Sequence, residues 1–131
     1  MNAYEKLIYE LFDKKFKKKL TAPDLARVEE QDNVHIFTHQ EDGQIVAMTV
    51  LYVVHLFSRN LGVIEEVVTL DKYRNKGIGS SLVKEAIEKA KELELDCVEL
   101  NVPERKPAVV KFYEGLGFKD RKNKAMRLWI K

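Results

Sequence analysis

Val63-Ile64-Glu65-Glu66-Val67-Val68-Thr69-Leu70 runs directly into Asp71-Lys72-Tyr73-Arg74-Asn75-Lys76-Gly77-Ile78-Gly79-Ser80-Ser81. The first stretch is rich in β-branched residues and reads as a strand, Val63 to Leu70. A polar loop, Asp71 to Lys76, follows it. From Gly79 to about Leu93 the apolar residues Leu82, Val83, Ala86, Ile87, Ala90 and Leu93 return at helical spacing, which makes them the buried stripe of an amphipathic helix. Cys97 to Val102 reads as the next strand. This strand-loop-helix-strand unit with a glycine-rich junction predicts an α/β chain in which a helix packs on a sheet.

The junction carries chemistry. The N-terminus of a helix exposes unpaired backbone N–H groups and about half a positive charge, so it attracts phosphate, and glycine lets the backbone approach closely. Three kinds of phosphate loop differ in spacing. A P-loop requires Gly-Lys-Ser/Thr at its end, whereas Gly79 is followed by Ser80 and Ser81. A dinucleotide fingerprint requires a third glycine where Leu82 stands, and belongs after the first strand of its domain. The pattern that remains is Arg/Gln-x-x-Gly-x-Gly/Ala, met by Arg74, Gly77 and Gly79.

Outward from this unit, Val34 to Gln40 reads as a strand. Asp42-Gly43 closes a hairpin, and Ile45 to Phe57 returns as a long, largely buried strand. Ser58 to Gly62 reads as a loop. Towards the N-terminus, Tyr4, Leu7, Ile8, Leu11, Phe12 and Phe16 share one helix face. Thr21 and Asp24 form a capping box, with Pro23 in the first turn, for a short helix that ends near Asp32. Towards the C-terminus, Pro107 suits a helix start, Gly115 and Gly117 stop that helix, and Ala125 to Ile130 is expected to close the sheet as a final strand anchored by Trp129.

The chain has 131 residues, 45% of them hydrophobic, enough for one domain with a continuous core; residues 1–131 are read as that domain. Its 23 basic and 21 acidic residues nearly cancel, so bulk charge does not indicate a nucleic-acid partner. One cysteine, Cys97, excludes an internal disulfide, and with three histidines it offers no metal-ligand spacing; no metal is expected. The single cysteine fits a reducing cytoplasm, and with no signal-peptide pattern and an Ile45 to Phe57 run too short for a membrane helix the protein is expected to be soluble.

The glycine loop with the strand before it resembles the coenzyme A site of the GNAT superfamily of N-acetyltransferases. About 35 residues later Phe112-Tyr113-Glu114-Gly115-Leu116-Gly117-Phe118 is similar to the closing aromatic-Tyr-Glu-x-x-Gly-Phe motif of the same superfamily. The resemblance implies an α/β fold with a mixed, mostly antiparallel sheet flanked by helices. It implies acetyl-CoA as cosubstrate, held by Arg74, Asn75, Lys76, Gly77, Ile78, Gly79 and Ser80, with backbone groups of Val67, Val68 and Thr69 along the pantetheine arm. It also implies Tyr113 as the acid that protonates the departing thiolate, a role open to a phenol of pKa near 10.

Gly62-Val63-Ile64-Glu65-Glu66-Val67-Val68 resembles the Gly-x-Ile-Glu-Asp-x-x strand of glucosamine-6-phosphate acetyltransferases, where the acids lie at the acceptor site. That implies Glu65 as substrate contact or water-mediated base and Glu66 beside it at the substrate. Carboxylates in an apolar strand are seldom buried without a partner or a task, although a solvated edge pair would need neither. Strand alternation sends the two side chains to opposite faces.

The chain departs from the superfamily pattern at its start. It opens with a helical segment, leaving only Lys17 to Leu20 for the first strand, so the sheet is expected to be one strand short. The lysine run Lys14 to Lys19 reads as a solvated helix end, and Cys97, His35, His39 and His55 as packing or surface residues. The expected activity is acetyl transfer to a primary amine of a small molecule or peptide, with neither nucleic acid nor membrane as partner and a homodimer compatible with the sequence. A non-catalytic acetyl-CoA-binding regulatory protein is the alternative.

Overall fold

The structure is a computed structural model that describes residues 22–103 and 105–131. The helix read between Tyr4 and Phe16, the lysine run, the opening-strand position at Lys17 to Leu20, and Thr21 of the capping box lie outside the described residues. The chain divides into two compact units, Met1–Glu99 and Leu100–Lys131.

In the first unit a short helix α1 (Ala22–Glu29) precedes strands β1 (Val34–Glu41), β2 (Gln44–His55) and β3 (Asn60–Thr69). A single 3-10 turn (Asp71–Tyr73), helix α2 (Ile78–Glu92) and strand β4 (Cys97–Glu99) follow. The sheet order is β1-β2-β3-β4, with the first two pairings antiparallel and the last parallel. This is the mixed sheet with flanking helix that the pattern predicts. Asp42 and Gly43 both take positive φ, 51° and 75°, the requirement of a two-residue hairpin whose twist matches its strands.

β2 is the spine of the unit. Met48, Val50 and Ile45 pack with Val68 on one face, joined by Val34, Ile36 and Tyr52. On the other face Val46 and Ala47 meet Ile78 and Leu82 of α2, joined by Phe37 and Tyr73. α2 buries Leu82, Val83, Ala86 and Ala90 of the expected stripe, while Ile87 is half-buried and Leu93, at the C-cap, is exposed. Its C-terminus closes with the N–H of Leu95 bonded to the Ala90 carbonyl and that of Glu94 to Lys91, with Glu94 at φ 56°. That is a Schellman ending in which a glutamate takes the place usually given to glycine.

Several boundaries differ from the sequence reading, each because tertiary pairing overrode local composition. Ser58 to Gly62 is not all loop: Asn60, Leu61 and Gly62 belong to β3, paired with His55, Val54 and Val53. Gly62 is needed there for space, since a Cβ would come within 3.0 Å of Leu51 Cδ1 and 3.1 Å of Leu95 Cδ1. β4 is only Cys97–Glu99, because its register with β3 covers three residues, Leu61 to Val63. α1 ends at Glu29 rather than near Asp32.

In the second unit helix α3 (Pro107–Gly115) starts on its proline and stops in a Schellman turn, in which Phe118 N–H reaches the Tyr113 carbonyl at 3.1 Å and Gly117 takes φ 101°. The expected final strand Ala125 to Ile130 is not formed: residues 119–131 carry no regular element. Among the described residues no strand is paired with it, and a segment becomes a strand only when a neighbour accepts its ladder. Trp129 anchors nothing in a core; it is largely exposed, with the Arg127 guanidinium 5.0 Å from its ring centroid.

One buried group of the first unit stands out. Thr49 on β2 has no exposed surface, and its hydroxyl has no hydrogen-bond partner among the described residues. Burying an unpaired hydroxyl costs about 1–3 kcal/mol. Thr49→Val keeps the shape and the β-branching while removing the stranded oxygen. The variant is expected to gain about 1 kcal/mol, seen as a higher urea midpoint at unchanged slope; a lower midpoint would show that the hydroxyl is satisfied.

Candidate active site

The two acids of β3 sit where its ladder with β2 loses register. Val50 pairs with Glu65 and Met48 with Val68, so Thr49 alone faces both Glu66 and Val67. This two-against-one arrangement is a β-bulge. Glu66 absorbs it with φ 57°, a left-handed conformation that costs a residue bearing a Cβ roughly 1–2 kcal/mol. Strain of this kind persists where packing on both sides imposes it, and it gathers at functional positions.

The bulge overturns the expectation from simple alternation. Glu65 is paired with Val50 and shares the Val50 side of the sheet. Glu66 reaches Tyr52, which packs with the same Val50 cluster, and the Tyr52 hydroxyl donates to Glu66 Oε2 at 3.3 Å. Both carboxylates therefore lie on one face, because the extra residue resets the period-two pattern between them. Glu65 is exposed and Glu66 half-buried. Burial holds the Glu66 carboxyl above its ordinary range and the nearby Glu65 charge adds to the rise, while the Tyr52 hydrogen bond opposes both.

Immediately after the acids the chain builds the anion-attracting loop. The Tyr73 N–H bonds to the Leu70 carbonyl and the Arg74 N–H to Asp71, closing the 3-10 turn. Asn75 at φ 63° and Gly77 at φ 78° then turn the chain into α2. Gly77 is its N-cap, with no side-chain cap bond, and Ser81 N–H is bonded back to the Gly77 carbonyl. Helix geometry leaves the N–H groups of Ile78, Gly79 and Ser80 without partners along the helix. Gly79 lies beside the end of β3: a Cβ there would stand 3.6 Å from Thr69 Oγ1, an ordinary contact.

Cations surround this N-terminus. Arg74 is folded over the loop, its Nε donating to the Thr69 carbonyl at 3.2 Å and its Nη2 3.1 Å from Asp71 Oδ1. Lys72 and Lys76 place their ammonium groups 5.6 and 5.5 Å from the Tyr73 ring centroid. An uncapped helix start, two residues in left-handed conformation and three nearby cations have the chemistry that would suit a diphosphate such as that of coenzyme A.

Tyr113 belongs to the second unit. Its ring centroid lies 5.1 Å from that of Phe112 and 5.7 Å, edge-on, from that of Phe118. Burial pushes its phenol above the usual value, which keeps the hydroxyl protonated at neutral pH. Among the described residues no three His, Cys, Asp or Glu side chains gather as a metal group would require. No described helix is long and apolar enough to cross a membrane. His39 contacts Glu41 Oε1 at 3.0 Å and His55 contacts Asn60 Oδ1 at 2.8 Å.

A mixed sheet with a bulged acidic strand leading into a glycine-rich helix start defines an acyltransferase-type fold. Residues 5–118 match the acetyltransferase (GNAT) family, and the chain belongs to that family. A structure from Agrobacterium tumefaciens str. C58 assigned as an acetyltransferase is similar, with TM-score 0.84 and 29% identity over 98% of this chain and 96% of that one. An acetyltransferase of Trypanosoma brucei matches at TM-score 0.78 with 27% identity, covering 98% of this chain and 91% of its own. Glucosamine-6-phosphate N-acetyltransferase of Arabidopsis thaliana shares the fold at TM-score 0.75 and 20% identity, covering 100% of this chain and 95% of its own.

The raised pKa of Glu66 has a signed consequence for stability. Where a carboxyl binds its proton more tightly folded than unfolded, raising the pH above the unfolded value favours unfolding until the folded value is passed. The window opens near 4.5, the ordinary glutamate value, and extends upward. Glu66→Gln does not titrate there. The stability of the native protein minus that of the variant should therefore fall as pH rises through this window and level off above it, measured by urea unfolding at a series of pH values; a difference that rises would reverse the assignment.

Proposed function

We propose that the protein moves an acetyl group from acetyl-CoA to a primary amine of a small molecule or peptide, directly within a ternary complex. Both units form one N-acetyltransferase domain in this reading, and the enzyme works in the cytoplasm without a metal. The observation that carries it is the bulge, which sets two carboxylates on one face of the strand that feeds the uncapped N-terminus of α2.

The backbone N–H groups from Gly77 to Ser80, with Arg74, Asn75 and Lys76, bind the diphosphate of the donor. The strand Val67 to Thr69 lines its pantetheine arm. Of the two acids, Glu66 is the better base. Its raised proton affinity brings it closer to neutral pH, where a general base is most effective, and it is already held by Tyr52. Glu65, exposed beside it, supplies the negative charge that draws a protonated amine to the strand. Glu66 takes a proton from the ammonium group, and the lone pair so freed bonds to the thioester carbon. The carbon–sulfur bond breaks, Tyr113 gives its phenolic proton to the departing thiolate, and the surplus proton on the new amide nitrogen returns to the tyrosinate, while Glu66 later releases its proton to solvent.

Thiol release from acetyl-CoA, scanned over a panel of primary amines, tests the activity; no release above the buffer rate with any class of amine would overturn it. In the same assay Glu66→Gln is expected to lower kcat/KM by about 10²- to 10³-fold, general-base loss at the usual scale. Tyr113→Phe should lower kcat by about 10²-fold while acetyl-CoA binding, followed by calorimetry, changes little. Unchanged turnover in Tyr113→Phe removes that residue from the reaction.

A further inference from the structure

Tyr52 bears on Glu66 from a different strand. Its hydroxyl donates to Glu66 Oε2 at 3.3 Å. The two residues are 14 positions apart in sequence, and only the bulge brings them together. Tyr52 is itself firmly placed: it pairs with Val34 on one side and Val63 on the other, and its ring packs against the Ile45, Met48, Val50 and Val68 cluster.

A glutamate has three side-chain torsions, and on a left-handed bulge none of them is set by a regular pleat. An untethered carboxylate would spread over many orientations, few of which meet an incoming amine. A tyrosine has two, and here its ring is locked by packing. One hydroxyl on a rigid neighbour therefore selects the carboxylate orientation at small entropic cost.

We propose that Tyr52 is a positioning residue for the reaction: its hydroxyl holds Oε2 of Glu66 against β2, leaving Oε1 as the oxygen that meets the acceptor amine. The proposal rests on Glu66 being the base. Glu66 takes its hydrogen bond from Tyr52 of β2 and feels the charge of Glu65 on its own strand. Tyr52 in turn packs with the apolar Met48 and Val50 of β2 and Val34 and Ile36 of β1. Glu99 of β4 lies opposite Val63 and has Arg59 at 3.4 Å.

Tyr52→Phe removes the hydroxyl and keeps the ring. Because the hydrogen bond favours the charged carboxylate, its loss should move the Glu66 titration to higher pH, read by carbon-13 NMR of protein labelled at the glutamate carboxyl, with Glu66→Gln assigning the signal. The acid limb of kcat/KM should move in the same direction, and its plateau should fall about ten-fold. In the Glu66→Gln background the same change should leave the remaining rate unaltered, since nothing is left to position. A tyrosine that only fills space would shift neither the NMR titration nor the pH limb, and an unmoved Glu66 midpoint overturns the proposal. The NMR arm needs no turnover. A shifted midpoint in a protein that acetylates no amine would uphold the hold of Tyr52 on Glu66 and overturn the acetyl-transfer reading instead.

Discussion

The pairing of β2 with β3, and the place where it counts two residues against one, is the constraint on which the first unit depends. On one side of Thr49 the ladder is held by Met48 against Val68, on the other by Val50 against Glu65. Met48, Val50 and Val68 are all buried, so the register cannot slip by one residue in either direction without turning apolar side chains towards water. The extra residue is trapped between two fixed registers. Glu66 carries the resulting left-handed backbone, and the buried hydroxyl of Thr49 stands opposite it.

The consequences run in both directions along β3. Before the bulge, Gly62 lets the end of α2 close down on the sheet beside Leu51 and Leu95. After it, Thr69 accepts a bond from Arg74 and stands beside Gly79, tying the strand end to the helix start. One strand thus presents acids in its middle and delivers the chain to a basic, uncapped helix N-terminus at its end. The two regions have opposite electrostatic character, and a few residues of backbone separate them.

Much of this architecture is legible in the order of residues alone. The stripe of α2, the Asp42-Gly43 hairpin and the strand-loop-helix order depend on periodicities of a few residues and on the φ preferences of single residue types, which sequence displays directly. The acids stand out because charge in an apolar run is anomalous. The bulge leaves no such mark: Glu66 occupies a conformation for which glycine is the usual signal. Tyr52 escapes sequence reasoning for the same reason, since nothing within β2 distinguishes it from a tyrosine facing solvent or core. The final strand fails the other way. Its alternation is visible, but alternation describes a residue pattern and not a partner, and residues 119–131 form no ladder.

The amino-acid sequence by itself determined the Asp42-Gly43 hairpin, the strand-loop-helix order, the glycine turn into α2 and the family, because these follow from local spacing and residue type. Tertiary structure alone decided that Glu65 and Glu66 share a face, that Tyr52 meets one of them, and that Gly62 is part of a strand. Each of these depends on the register between strands, and register is settled by which buried side chains must be kept from water on both sides of the sheet.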